Sequence, residues 1–338
     1  MIQKKVLFVI IAQVWSILVS TELHAGGWEW KLGTEGGYFQ AEEDLNSSKI
    51  KYIAALSGSA RYNRTFGMNS YLLQFRLRPE LYGPQRNNYT INASAAGQYL
   101  RKWGDFDLST GMTVRKQNYH LHSDRLDIST FQMFGSVSWF FAKKFSSELE
   151  GRYDNAVLSG NARNIISSWS ASPKLRFLFS NYGSVSAGML VESFSAHTND
   201  VFFTSRSSTG WRLGPEFAID YSRNWLISIH YLPSKRFYNS SNEAHMEQEI
   251  NIVAGKDISA HWSVFILADY YFRDIDSSAS RVVYTHTNYE NRIHAKLVYS
   301  WKKCYAAYFK LAYTKNELIN EKIAWSGTQV SVGIEIQK

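Results

Sequence analysis

The chain has 338 residues, 45% hydrophobic, 15% aromatic and 20% charged, with a formal net charge of +8. Composition does not shift along it and no low-complexity linker interrupts it, which argues for one large domain over a string of small ones. The basic excess is spread out, with no run of five or six Lys or Arg, so nucleic acid is not an expected partner. The single cysteine, Cys304, excludes an internal disulfide and reads as a small half-buried residue beside a tight turn.

The first expected element is a leader. Lys4 and Lys5 precede the apolar run VLFVIIAQVWSILVS, and LHA ends at Ala25. A charged start, a short apolar stretch and small residues before a cut site describe a secretory signal peptide over 1–25, leaving a mature domain over 26–338. The competing reading is a transmembrane anchor, but the run is shorter than the roughly 20 residues that a spanning helix needs. Removing Lys4, Lys5 and Glu22 lowers the net charge by one, and no Cys follows the cut to carry a lipid. After the leader no apolar run approaches spanning length. A membrane barrel would not produce one, because its strands signal only by alternation.

From residue 26 onward the pattern is nearly continuous alternation at period 2, the signature of strands. Tight turns are expected at FGMNS near 67, WGDF near 104, AKKF near 143, SNYG near 182, SRNW near 223, SAHW near 261 and WKKCY near 302, spaced 37 to 41 residues apart. Longer polar connections are expected at 42–48, 83–88, 121–127, 159–164, 197–208, 239–246, 275–287 and 316–322, rich in the Asn, Ser, Asp and Gly that favour turns. Eight long connections alternating with seven short ones make sixteen strands, with both termini on the short-turn side; merging or splitting one hairpin would give fourteen or eighteen.

The stretch WFFAKKFSSELEGRYD, 139–154, shows what the alternation means. Trp139, Phe141, Phe145, Leu149, Gly151 and Tyr153 fall on one side, and Ser146, Glu148, Glu150, Arg152 and Asp154 on the other. Rings gather beside the tight turns along the whole chain: Phe66, Trp103, Phe106, Trp139, Phe141, Phe145, Phe179, Tyr182, Trp225, Trp262, Trp301 and Tyr305. Amphipathic rings on one rim fit an interfacial girdle, with apolar mid-strand residues facing lipid. The fold class expected is therefore all-β: a single closed antiparallel up-and-down transmembrane β-barrel. A water-soluble sandwich or propeller explains neither the even hairpin period nor the one-sided rings.

With these features together, the chain resembles Gram-negative outer-membrane β-barrel proteins of porin-like form over essentially all of residues 26–338. The resemblance implies a bacterial outer-membrane location and, as partners, outer-membrane lipid, lipopolysaccharide and the barrel-insertion machinery, with an export partner or a homo-oligomer as further options. Such barrels usually end on an alternating strand with a terminal aromatic; here WSGTQVSVGIEIQK closes on Gln337 and Lys338 instead. The stretch YENRIHAKLVYSW…KLAYTKNELINEKIAW also resembles, more weakly, the last hairpins of tetratricopeptide-linked barrels that export polysaccharides or surface lipoproteins, though no helical repeat domain precedes it here.

Strand parity assigns inward Arg61, Arg76, Arg78, Arg115, Glu148, Glu150, Arg152, Asp154, Lys174, Arg176, Glu192, Arg212, Glu216, Asp220, Glu249, Asp269, Arg273, Glu290, Arg292, His294 and Lys296. Cross-strand pairing is expected for Glu249 with Arg273 and for Glu216 with His230. The charges either line a wet channel and set selectivity or form a lattice holding a filled barrel. Inward aromatics Phe39, Phe134, Tyr271 and Tyr308 could stack sugars or fill space. His120, His122, Asp124 and Asp127 in YHLHSDRLD could suggest a metal site but read as solvated loop residues. No Ser motif with hydrolase neighbours is present, and neither catalysis nor a cofactor is expected. The leading expectation is a monomeric or trimeric channel for hydrophilic solutes or an exported polymer; the alternatives are a non-conducting structural or surface-interaction barrel and an outer-membrane hydrolase.

Overall fold

The computed structural model describes residues 27–41, 52–83, 88–121, 124–159, 162–200, 206–239, 244–274, 290–302, 304–317 and 324–338. The leader expected over 1–25 lies outside them. The strands are β1 (Trp28–Ala41), β2 (Tyr52–Phe66), β3 (Asn69–Gly83), β4 (Tyr89–Trp103), β5 (Phe106–Leu121), β6 (Asp124–Ala142), β7 (Phe145–Ser159) and β8 (Ala162–Ser180). They continue as β9 (Gly183–Asp200), β10 (Arg206–Ser222), β11 (Leu226–Tyr238), β12 (Ala244–Asp257), β13 (Trp262–Asp274), β14 (Glu290–Lys302), β15 (Tyr305–Glu317) and β16 (Ala324–Gln337). Each is hydrogen-bonded antiparallel to its sequence neighbours, and β1 pairs with β16 from Lys31↔Gln337 to Ala41↔Gly327, so the sheet closes into a barrel with no free edge.

The tight turns fall where the sequence places them. Gly67 and Gly104 take positive φ in the β2–β3 and β4–β5 turns, a conformation that costs glycine nothing and suits two-residue hairpins. Register shifts at Phe140/Ala142, Leu178/Ser180 and Ser300/Lys302 put bulges beside three of the turns, where an extra residue bends the strand end.

At two of the expected long connections the strands run further than the sequence suggests. β5 runs to Leu121 and β6 starts at Asp124, while β7 runs to Ser159 and β8 starts at Ala162. Across the ladder there, Asn118 donates to Asp127 at 2.6 Å. Among the described residues the strands therefore reach 19 residues, as in β6 and β8. Only about 9 to 11 tilted residues cross the hydrocarbon, so the strands project beyond it on the loop side.

One face of each strand carries an exposed apolar belt: Leu73, Phe75 and Leu77 on β3, Met112 and Val114 on β5, Leu175 on β8, Met189 on β9, Phe217 and Ile219 on β10, Val332 and Ile334 on β16. A continuous belt of this kind is far beyond the isolated apolar patches of a soluble monomer and suits a lipid solvent. Rings edge it at the short-turn rim, where Phe106 stacks on Trp139 at 6.2 Å, Phe141 on Phe145 at 6.2 Å and Trp301 on Tyr305 at 6.0 Å. A second set edges it nearer the loops: Tyr38, Tyr52, Trp169, Trp211, Phe237 and Phe272 are all exposed.

Candidate functional site

In a closed barrel, side chains of second-neighbour strands converge inside and diverge outside, so contacts that skip a strand identify the inner face. Arg212 on β10 reaches Glu247 at 3.0 Å and Glu249 at 2.6 Å on β12. Lys174 on β8 reaches Glu216 on β10 at 2.7 Å, and Lys296 on β14 reaches Glu335 on β16 at 2.5 Å. Carried through the pairing registers, this inner face holds Arg61, Arg76, Arg78, Arg115, Glu148, Glu150, Arg152, Lys174, Arg176, Arg212, Glu216, Glu249, Asp269, Arg292, His294 and Lys296. Arg273 and Glu290 occupy positions of the same register, while their side chains lie outside the described residues. Phe66, Trp103, Phe106, Trp139, Phe141, Phe145, Phe179, Trp225, Trp262, Trp301 and Tyr305 are all exposed at the short-turn rim.

The inner charges gather into two groups on opposite walls. On β1, β3, β15 and β16, Glu35 is the hub. It is nearly buried, pairs with Arg78 at 3.1 Å and with Lys310, and accepts from Tyr308 Oη at 3.0 Å, Gln329 at 2.8 Å and Ser331 at 2.6 Å. Arg78 also holds Glu80 at 2.5 Å, and Glu335 bridges Lys31 at 2.6 Å and Lys296 at 2.5 Å. Tyr308 lies flat over Gly333, where a Cβ would stand 2.3 Å from its ring.

On β7 to β12, Arg212 and Arg236 share Glu247. The Arg236 pair is two-pronged, at 2.8 and 3.1 Å, with both side chains 0% exposed, and His245 adds a 2.8 Å contact to the same carboxylate. The Arg236 guanidinium also lies over the Phe194 ring at 4.5 Å. Below this, Glu216 meets Lys174, His230 at 2.9 Å and the Ser172 hydroxyl, and Lys174 also holds Glu150 at 3.0 Å. Charges removed from water to this degree persist only when paired and hydrogen-bonded.

The pairings read from sequence are close but shifted. Glu249 stands opposite Tyr271, and it is Glu247 that stands opposite Arg273, two residues along. Glu216 meets His230 diagonally, the direct partner of His230 being Ala218. Of His120, His122, Asp124 and Asp127, His122 lies outside the described residues, and no group of three or more metal-ligating side chains occurs among those described. Sequence parity passed over Glu35, Glu80, Arg236, Glu247, Lys310 and Glu335. Arg236 and Glu247 flank a polar loop and look like loop residues; the signal that identifies them is the alternation Leu232, Ser234, Arg236, Tyr238, all buried, against outward Pro233, Lys235 and Phe237.

Toward the loop rim, beside the Arg236–Glu247 pair, much of the inner face becomes apolar. Phe39, Ile53, Tyr82, Tyr119, Leu126, Ile128, Ala156, Leu158, Ile166, Phe194, Ala196 and Tyr238 form one buried cluster drawn from nine strands. Leu126 is 0% and Leu158 2% exposed. Toward the short-turn end the inner charges Arg61 and Asp220 are exposed instead, and at mid-height Asp269 and Arg292 face each other at 3.7 Å with side chains 52% and 43% exposed. Beneath the apolar layer, against β7 to β12, lies a cavity of about 280 Å³ lined by the second charge group.

No protein-family model and no curated protein sequence matches the chain. Solved structures similar to it include CdiB from Acinetobacter baumannii, at 8% identity over 92% of this chain and 60% of that one, with a TM-score of 0.45. Two others are the alcaligin outer-membrane receptor FauA from Bordetella pertussis (7% identity, 92% and 76% covered, TM-score 0.42) and OccK11 (OpdR) from Pseudomonas aeruginosa (8%, 92% and 95%, 0.39). The chain spans 60% of the length of CdiB.

Proposed function

We propose that this is an outer-membrane channel for small hydrophilic solutes whose lumen is held shut beneath the loop rim. The observation that carries the reading is the gradient along the inner face, from wet charges at the short-turn end to side chains at 0% exposure, Leu126, Arg236 and Glu247, at the loop end. Barrels of this strand number leave an aqueous passage unless side chains fill it. Here they fill one layer and leave the rest polar. The layer joins an apolar cluster, which opposes wetting, to a desolvated ion pair, which is costly to break once formed. A solute entering from the short-turn side would meet mixed charge first and the seal last. An exported polymer would require the whole layer to part, so small solutes are the better-supported cargo.

Planar-bilayer recording under a salt gradient tests this. The expected result is rare or absent openings for the unmodified barrel and steady ohmic openings for a Leu126→Ala/Leu158→Ala/Ile166→Ala variant. A variant that is folded, judged by gel migration before and after boiling, yet stays silent would overturn the reading and leave a filled structural barrel.

A further inference from the structure

The charges around the mid-lumen cavity already answer one another. Arg152 holds Asp154 at 2.7 Å, Lys174 holds Glu150 at 3.0 Å and Glu216 at 2.7 Å, and Arg212 holds Glu192 at 3.4 Å and Glu249 at 2.6 Å. These are all the Asp, Glu, Lys and Arg side chains of the described lining. A charged guest would have to displace one partner and leave it desolvated, which is costly. The hydrogen-bonding capacity that a guest can use without that cost is neutral.

The inner face of β8 supplies it. Ser168, Ser170 and Ser172 line the cavity in succession, and these short side chains are what leaves the hollow. The Ser172 hydroxyl is taken up by Glu216. Ser168 is 6% exposed, yet its hydroxyl has no hydrogen-bond partner among the described residues, and neither has that of Ser170. A hydroxyl buried this deeply carries a desolvation cost unless something in the cavity bonds to it. Asn251, opposite His230 in the β11–β12 ladder, adds an amide with no side-chain partner among the described residues. Ala156, Ile166, Leu190 and Leu232 form an apolar stretch of the wall. At about 280 Å³ the space lies at the small end of the roughly 300–1,000 Å³ range of ligand pockets. Arg152 and Asp154, with side chains 43% and 32% exposed, connect it to water.

We infer that this cavity binds one neutral polyhydroxy molecule, the class of the monosaccharides and short polyols. A hydroxyl both donates and accepts, so such a guest bonds to the serines and to the lone pairs that the paired carboxylates keep, without displacing any ion. Its C–H faces lie on the leucine and isoleucine side. The inference rests on the channel reading and names the solute class of that reading. The probes are D-glucose, D-galactose, D-mannose and D-mannitol, followed by saturation-transfer NMR on the full barrel in micelles of a detergent without a sugar headgroup. D-Glucosamine and D-glucuronate, which add a cation or an anion to glucose, are the controls, and empty micelles are the blank. Saturable binding of at least one neutral probe is expected, with the charged pair about tenfold weaker or more. Ser168→Ala should weaken binding about fivefold, the worth of one hydrogen bond. Ser170→Leu, which fills the hollow without changing charge, should abolish it. Gel migration before and after boiling shows whether each variant folds, and Ser168→Ala carries the test alone if Ser170→Leu does not. Absence of binding by every neutral probe, equal binding of the charged pair, or unchanged affinity in the folded variants overturns the inference and leaves a cavity that holds only water. Micelle binding does not depend on conductance. Sugar or polyol binding by the unmodified barrel, with a seal variant that stays silent, would overturn only the channel reading, and conductance without such binding would overturn only this site.

Discussion

Glu247 shows how much a single buried charge can hold. Its carboxylate is 0% exposed, accepts from Arg236 and His245, and forms an ion pair with Arg212. Glu247→Gln would leave Arg236 without its two-pronged partner and would remove one of three carboxylates from Arg212. Breaking a buried pair from one side costs about 3–5 kcal/mol, because the surviving charge stays desolvated. Denaturant unfolding of the refolded barrel should show a loss of that order. Arg236→Met/Glu247→Leu should recover part of it, since removing both charges lifts the desolvation penalty while Glu192 and Glu249 still hold Arg212. Gly333 makes a sharper geometric case. Gly333→Ala would drive a methyl into Tyr308, whose hydroxyl donates to Glu35 at 3.0 Å. Overpacking of this kind costs about 1–3 kcal/mol. Tyr308→Leu in the same chain should relieve only the ring's share of the strain, because the Thr34 carbonyl oxygen would still stand 2.6 Å from the added methyl, and a double-mutant cycle in the same unfolding assay would read that share.

At the scale of the element, β8 states the logic of every strand. Its outward residues include Trp169 and Leu175, 67% and 63% exposed, while Ser168 and Ser172 on the inner face are buried. Leu175 lies between the ring of Phe179 near the turn and that of Trp169 toward the loops, close to the middle of the lipid band. Leu175→Arg should therefore destabilise by about 2–4 kcal/mol, the cost of a cation at the bilayer midplane. Ser170→Lys on the opposite face, within the acid-rich lumen, should cost less, and chemical unfolding in lipid vesicles separates the two. This two-sidedness is what made the strands legible in the sequence: lipid outside and charge inside force a strict period of 2. The strand ends were not legible in the same way. Beyond the lipid the outward face is polar as well, so 121–127 and 159–164 read like loops from composition, although Leu121 still pairs with Asp124 and Ser159 with Arg163.

For the whole molecule, closure and sealing have different sequence visibility. Sixteen strands follow from counting turns. The seal does not, because Phe39, Leu126, Leu158 and Tyr238 become neighbours only through the stagger of strands far apart in the chain. A single sequence gives each strand's parity but not the stagger that sets which inner residues share a layer. Closure itself depends on β16, which pairs with β15 from Tyr305↔Ile336 to Glu317↔Ala324 and with β1 from Lys31↔Gln337 to Ala41↔Gly327. Removing 324–338 would bare the edges of both β15 and β1. In lipid every unpaired backbone group costs several kcal/mol, so no membrane-inserted form should survive. Removing only Gln337 and Lys338 sacrifices the backbone bonds between Lys338 and Trp30, at 2.9 and 3.0 Å, and the one from Gln337 to Cys304, but keeps the ladder from Leu32↔Ile336 onward. The short truncation should still give a protease-resistant barrel that migrates differently before and after boiling, and the long one should give neither property. Loss of both properties in the short truncation would mean that the last two residues, rather than the ladder as a whole, hold the seam shut.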